Sequence, residues 1–306
     1  MTEKSDGKIV VTGAGGWLGT EYLEGLLEEI GSAALRNKVV CLGSNERDLT
    51  LSDGTKLEVR KLDGFRVDSP IDGLVHLAFL TRDKVAQMSL ESYSFANLSI
   101  TSAAVQLIEK HKPSWVATVS SGAVFSSPGG SLENNLQANP YGFTKRIEEA
   151  LLRDACESVN SNLAIGRLWG AMGAFMPVNR AYAVSDFICQ ALDTSKIQVR
   201  AKHEVFRRYC LAGEFMKVLT RTAKIQNFAS FDSGGDIIEL SSLAGLIAEH
   251  LSADLMPREL EPTAQADRYF PLSQEYEALA RQTEVKLATV EQQVLLTLGS
   301  HGALNL

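Results

Sequence analysis

The run Lys8–Gly19, KIVVTGAGGWLG, constrains this chain more than any other stretch. A continuous apolar run ends at Thr12-Gly13, glycines follow at 13, 15, 16 and 19, and apolar residues at helical spacing begin at Trp17. That is a buried strand, a tight turn and a helix in quick succession, the opening of a βαβ unit. Glycines let the turn approach an anion closely, and the free N–H groups of a helix N-terminus are suited to a pyrophosphate. The segment Gly13, Gly16, Trp17, Leu18 and Gly19 is therefore the first candidate cofactor site.

The same alternation continues. Strands are predicted over 37–44, 73–80, 114–125 and 162–170, each a continuous apolar run of the kind buried on both faces of a parallel sheet. Helices are predicted over 17–31, over 89–112 ahead of Pro113, and over 140–159. The alternating residues around Asp53-Gly54 predict a small hairpin within 49–59. The fold class that follows is α/β, a doubly wound parallel sheet. Beyond about residue 170 the elements shorten, with helices expected over 181–192, 213–224, 242–252 and 276–285 and an ordered loop over 254–273. The expected organisation is a nucleotide-binding domain over 1–170, with chain crossovers, and a smaller substrate-binding lobe over 171–306.

Composition excludes several classes. A net charge of −7 argues against a nucleic-acid binder. There is no apolar run long enough to span a membrane. The N-terminal MTEKSDGK reads as no signal peptide. Cys41, Cys156, Cys189 and Cys210 are scattered with no CxxC pair, so no metal is expected and a reduced, cytoplasmic setting is.

The second chemical signal is NPYGFTKR, residues 139–146. Tyr141 and Lys145 stand four apart and share one helix face, with Pro140 at the helix start. A free phenol, with a pKa of about 10, is a poor base near neutrality, and a nearby ammonium favours the phenolate.

Together, TGxxGxxG near the N-terminus and YxxxK at Tyr141 and Lys145 make the chain resemble the extended short-chain dehydrogenase/reductase family of nucleotide-sugar epimerases, dehydratases and reductases. Further stretches match in order. VHLAF resembles the motif that lines the cofactor, implicating Leu77 and Ala78. FANLSIT puts Asn97 on the family's asparagine. VSSGAVF puts Ser121, rather than its neighbour Ser120, on the catalytic serine. RRYCLAGE puts Arg207 on an arginine that grips a substrate diphosphate, and RKLDGF puts Asp63 on an aspartate that meets the adenine. The resemblance implies a Rossmann domain, a Ser121–Tyr141–Lys145 triad with Lys145 also on the nicotinamide ribose, and a homodimer. At the end of the second predicted strand, Gly43 replaces the aspartate common in NAD-users and Ser44 and Arg47 follow. That pattern favours NADP, with NAD possible. Trp169 is a candidate substrate wall.

Departures narrow the reaction. Gly122 and Ala123 follow Ser121 where the resembled 4,6-dehydratases carry acids and the 3,5-epimerase/reductases a cysteine. Gly170 and Arg208 also depart from the family's substrate-contacting pattern. The expected activity is an NADP(H)-dependent oxidoreductase acting on a keto group, or its alcohol, of a nucleotide-activated sugar or related metabolite. The alternatives are an NAD-dependent 4-epimerase and a non-catalytic dinucleotide-binding protein.

Overall fold

The computed structural model describes residues 7–66, 69–178 and 182–300. The N-terminal residues 1–6 and Ala181, on which two of the sequence expectations fall, lie outside the described residues. In chain order the elements begin with β1 (Lys8–Thr12), α1 (Trp17–Lys38), β2 (Val39–Gly43), β3 (Arg47–Thr50), β4 (Lys56–Lys61) and β5 (Ile71–His76). Next come α2 (Leu90–His111), β6 (Trp115–Ser121), α3 (Pro140–Val159), β7 (Asn162–Leu168) and β8 (Ala171–Met172). They are followed by α4 (Ala183–Thr194), β9 (Lys196–Ile197), β10 (Val205–Leu211), α5 (Ala212–Ile225), β11 (Phe228–Asp232) and β12 (Asp236–Glu239). The last are α6 (Leu240–His250), β13 (Asp254–Leu255), β14 (Asp267–Tyr269), α7 (Glu275–Gln282) and α8 (Val290–Ser300).

Two compact units result. The first comprises 1–126, 131–167 and 216–231, and the second 127–130, 168–215 and 232–306. The first is built on an eight-stranded sheet in the order β11-β7-β6-β5-β1-β2-β4-β3. The pairs β1–β2, β1–β5, β2–β4 and β5–β6 are parallel. This is the doubly wound α/β architecture expected. β3 and β4 form the antiparallel hairpin around Asp53-Gly54, with Leu49 opposite Leu57. Its edge strand β3 exposes Arg47 and Asp48, and such charges blunt a free sheet edge.

Central strands are apolar because both faces are covered. Every residue of β6 is buried. Val10, Leu42, Leu74, Val116 and Ile165 of the sheet form one core with Ala104 and Ile108 of α2 and Leu152 and Ala155 of α3. α2 closes with a left-handed Lys112 just before Pro113. α1 is interrupted at Gly31, whose φ of 75° ends the first helical stretch before a second carries on to Lys38.

Along the sheet the chain leaves β1 toward β2 and returns on its other side as β5, so order reverses at β1. The crevice at the C-terminal ends of β1 and β5 is where such sheets bind ligands. It is formed here by Thr12-Gly13 and His76-Leu77.

The second unit carries β12-β10-β14 with β8 beside β10, a β9–β13 pair, and α4, α6, α7 and α8. Three details differ from expectation. The stretch 254–273 contains two short strands, because β13 pairs with β9 and β14 with β10. α8 lies where no helix was predicted. The strand expected over 114–125 stops at Ser121, where the Ser121 hydroxyl accepts the Ala123 N–H at 3.2 Å and the chain turns into a short 3-10 helix.

Candidate active site

The glycine turn is held by backbone contacts that tolerate no larger residue. Gly13 has φ +70°, and a Cβ there would stand 2.7 Å from the backbone of Leu77 and Ala78. A Cβ on Gly19 would meet the carbonyl oxygens of Gly13 and Ala14. Leu77 N donates to Thr12 O, and both Leu77 N and Ala78 N reach Thr12 Oγ1 at 3.2 Å. Gly16 caps α1 with no side chain on its N-terminus, and the first turn carries no acidic residue. The helix N-terminus and the glycine surface fit a dinucleotide pyrophosphate, with its negative charge on the positive end of the helix dipole. Trp17 turns its indole N–H to Glu21 at 3.0 Å.

Arg47, at the start of β3, reaches back across the turn and donates to Gly15 O at 2.8 Å. A Cβ on Gly15 would collide with that guanidinium, so glycine at 15 makes room for Arg47. Ser44 stands beside it with a weak contact from Asn45. Asn97, 1% exposed, accepts from Leu80 N at 2.7 Å and so anchors the segment after β5. Asp63 lines, with Phe65, Phe95 and Gln106, a cavity of about 720 Å³ over α2.

At the end of β6, Ser121 lies on the side of Tyr141 of α3, close enough to favour its phenolate. Because Ser121 Oγ already accepts from Ala123 N, its own hydrogen is available to the phenol oxygen. Ser120 is buried and its hydroxyl has no partner among the described residues. Asn139 caps α3 through Gly142 N at 2.9 Å, fixing the entry of the helix that carries Tyr141 and Lys145. Phe79 packs edge-on to Tyr141 with ring centroids 5.9 Å apart.

Lys145 is buried and fully engaged. Its Nζ donates to Glu148 Oε2 at 2.7 Å and to Val119 O at 2.9 Å, and sits 3.8 Å from the centre of the Phe79 ring. Glu148 in turn faces His76 across 3.1 Å, and His76 meets Thr12 Oγ1 at 2.7 Å. Burial opposes the Glu148 carboxylate, but Lys145 and His76 outweigh it and hold its pKa below the usual value. Tyr141 moves the other way. Burial of its hydroxyl pushes the phenol pKa up; Ser121 and Arg82 pull it down, Glu148 pushes it further up, and the net shift is upward. This is opposite to what an unpaired Lys145 alone would do. Thr12, His76 and Phe79 fall within the TGxxGxxG and VHLAF stretches, while Glu148 belongs to no motif, although it falls at i+7 from Tyr141 and i+3 from Lys145, on the same helix face.

In the second unit, Arg207 donates to Asp267 Oδ2 at 2.7 Å and lies over Tyr269. Trp169 packs against Tyr269 with its ring tilted by 48° and the centroids 4.8 Å apart, and donates its indole N–H to Asp232 at 2.8 Å. Arg208 spends its guanidinium on Glu277 and the carbonyls of Gly235, Pro271 and Ser273, a structural clamp that explains why arginine can replace the acidic residue of the resembled pattern.

Among the described residues no group of histidine, cysteine, aspartate and glutamate could hold a metal ion, and no helix is long and apolar enough to cross a membrane.

A sequence model described as the NAD dependent epimerase/dehydratase family matches residues 9–229. No curated protein matches the chain in sequence. Among solved structures, a UDP-N-acetylglucosamine 4-epimerase from Methanobrevibacter ruminantium M1, in complex with UDP-N-acetylmuramic acid, superposes with a TM-score of 0.76 at 18% identity, over 98% of this chain and 99% of that one. A UDP-glucose-4-epimerase from Stenotrophomonas maltophila, with bound NAD and formylated UDP-arabinopyranose, gives 0.76 at 16% identity, over 97% and 98%. An NAD-dependent NDP-hexosamine 5,6-dehydratase of tunicamycin biosynthesis gives 0.73 at 16%, over 96% and 97%. At these identities the likeness is one of fold.

Proposed function

The chain belongs to the NAD-dependent epimerase/dehydratase family of enzymes, and on that premise we propose that it is an NADP(H)-dependent oxidoreductase reducing a keto group, or oxidising the corresponding alcohol, of a nucleotide-activated sugar. The observation that carries this is the start of α3, bearing Tyr141 with Lys145 one turn along, packed on the turn that follows Ser121, where Asn139 Nδ2 donates to Ala123 O at 3.0 Å. The bound nicotinamide supplies or accepts the hydride. Ser121 orients the substrate oxygen and steadies charge developing on it. Tyr141 gives its proton to that oxygen as the carbon is reduced, and takes it back in the oxidative direction. Lys145 holds the floor beneath Tyr141 and is the residue to meet the nicotinamide ribose. Gly13, Gly16, Trp17, Leu18 and Gly19 cradle the pyrophosphate, Leu77, Ala78 and Asn97 border the nicotinamide side, and Asp63 is the adenine contact. Arg207 and Trp169 are the substrate contacts, Arg207 exchanging Asp267 for a phosphate oxygen.

Arg47 and Ser44 support a 2′-phosphate. Arg47 is already drawn over the glycine turn, where a second partner of opposite charge would sit beside it. Arg47→Ala is expected to weaken NADPH binding roughly ten- to a hundredfold, the scale of a hydrogen bond to a charged group, and to leave NADH binding within about twofold. Fluorescence titration with each nucleotide checks it. Turnover is tested by NADPH oxidation with UDP-linked 4-keto sugars, together with mass spectrometry of small molecules released from the purified protein. A 4-epimerase with NAD is the second reading, favoured by what the two epimerases above bind and catalyse. Retained NAD and interconversion of a UDP-sugar without net NADPH consumption would select it.

Four free cysteines are consistent with a cytoplasmic protein. We also take the chain to be a homodimer through α2 and α3, whose exposed apolar residues include Phe95 (73% exposed), Leu98 and Leu151. Sedimentation velocity is expected to give twice the chain mass.

A further inference from the structure

Beneath Tyr141 and Lys145 runs a buried polar row that proton delivery by the triad does not itself require. Glu148 is 1% exposed and its two oxygens divide their partners: Oε2 takes Lys145 at 2.7 Å, and Oε1 lies 3.1 Å from His76 Nε2, off the straight line of an N–H···O bond. On the far side of the ring, His76 Nδ1 is 2.7 Å from Thr12 Oγ1. That oxygen already accepts the N–H groups of Leu77 and Ala78, so its own hydrogen goes to Nδ1. The hydrogen-bond network thus assigns the tautomer: Nδ1 accepts, and Nε2 carries the ring hydrogen on the side of Glu148. The shortest contact of the carboxylate is with Lys145, at 2.7 Å. The third face of Lys145 Nζ meets the Phe79 ring. An ammonium in contact with a carboxylate projects a weakened field onto a phenol one helical turn away, because the two opposite charges largely cancel at that distance.

We propose that Glu148, seated by His76 and Thr12, is a positioning residue that neutralises Lys145 and so sets the pH at which Tyr141 passes from proton donor to proton acceptor. The groups that act on Tyr141 are Glu148 from α3, Ser121 from β6, Arg82 from the turn after β5 and Tyr93 from α2, and Lys145 shares the Phe79 ring with it. Of these, Glu148 opposes ionisation of the phenol, and Ser121 and Arg82 favour it. With Glu148 uncharged, the Lys145 ammonium is released to favour the phenolate. The proposal rests on Tyr141 being the proton-transfer group, as set out above.

The test is an alkaline titration of tyrosinate absorbance on the folded, full-length chain. The difference between wild type and Tyr141→Phe isolates Tyr141 from the other tyrosines. In wild type its midpoint is expected above about 10, the ordinary tyrosine value; a lower midpoint overturns the proposal. In Glu148→Gln the midpoint is expected to fall by at least about one unit, a tenfold change in the acid constant, and the basic limb of the kcat/KM profile to move with it. An unchanged or raised midpoint also overturns the proposal. A merely structural role for Glu148 would lower stability and leave the midpoint where it was. Glu148→Leu, matched in bulk and uncharged, repeats the comparison if the glutamine variant does not fold, and the wild-type midpoint decides if neither does. The titration needs no substrate, so it stands or falls apart from the enzymatic reading: full activity in Tyr141→Phe would remove that reading even if the midpoints behave as expected.

Discussion

Tyr141→Phe is expected to lower kcat/KM by about 10²- to 10⁴-fold, the usual contribution of a positioned acid–base group. The substitution removes one oxygen and keeps the ring. The edge contact with Phe79 therefore survives, and the fold should be unaffected. What disappears is the hydroxyl, and with it the proton for the substrate oxygen. Lys145, Glu148 and the glycine turn are untouched, so NADPH should bind as in wild type. The loss should then appear mainly in kcat, because the phenol acts on the reacting oxygen in the transition state and adds little to ground-state binding. Initial rates of NADPH oxidation, with nucleotide affinity measured separately, check both halves. A variant that turns over at the wild-type rate would show that Tyr141 is not the proton donor.

The largest stability effect is expected from Lys145→Met. Lys145 and Glu148 have side chains 6% and 1% exposed and are 2.7 Å apart. Removing the cation leaves a buried carboxylate without its lysine, and breaking such a pair from one side costs about 3–5 kcal/mol. The pH dependence has a definite sign. In wild type the Glu148 pKa is depressed, so its contribution is present above the unfolded value of about 4.3 and is lost as pH falls through the folded value. In Lys145→Met the same group feels burial without compensation. Its folded pKa rises above the unfolded one, so the penalty is greatest at neutral pH and shrinks toward acid. Urea unfolding at pH 7 and pH 5 should therefore show the gap to wild type narrowing at the lower pH. The double variant Lys145→Met/Glu148→Leu should recover most of the loss, since replacing both charges by apolar groups is close to neutral. A single variant within about 1 kcal/mol of wild type would mean that the pair carries no net burden.

Much of the first unit can be read from local chemistry. Apolar runs too continuous for a half-exposed sheet required a buried one, and β1, β5 and β6 are such strands. Gly13 and Gly19 were legible because a turn that crowded admits only hydrogen at Cα. The hairpin around Asp53-Gly54 and the helix end before Pro113 followed from backbone preferences that act within a few residues. The second unit was less legible. β13 and β14 are two and three residues long and exist because β9 and β10 offer them partners, a condition no local pattern reveals.

The candidate site divides in the same way. Tyr141 and Lys145 are marked by their spacing on one helix, and their partner Ser121 by resemblance. Arg47 could be placed near the end of the second strand, but its reach across Gly15 depends on where β3 begins. The direction of the Tyr141 shift was beyond the sequence. It turns first on burial of the phenol, and then on Glu148, whose place is set by a lysine on its own helix and by a histidine from β5 and a threonine from β1 that approach α3 only when the sheet is assembled.

By itself, then, the sequence determined that this chain builds a doubly wound α/β sheet with a glycine turn at its first strand and a tyrosine and lysine on one helix face. Those are properties of periodicity and short-range sterics. Only the tertiary structure decided what that lysine does with its charge, because charges buried in a low-dielectric interior answer to whichever groups the fold brings within about 3 Å, however far apart they lie in the chain.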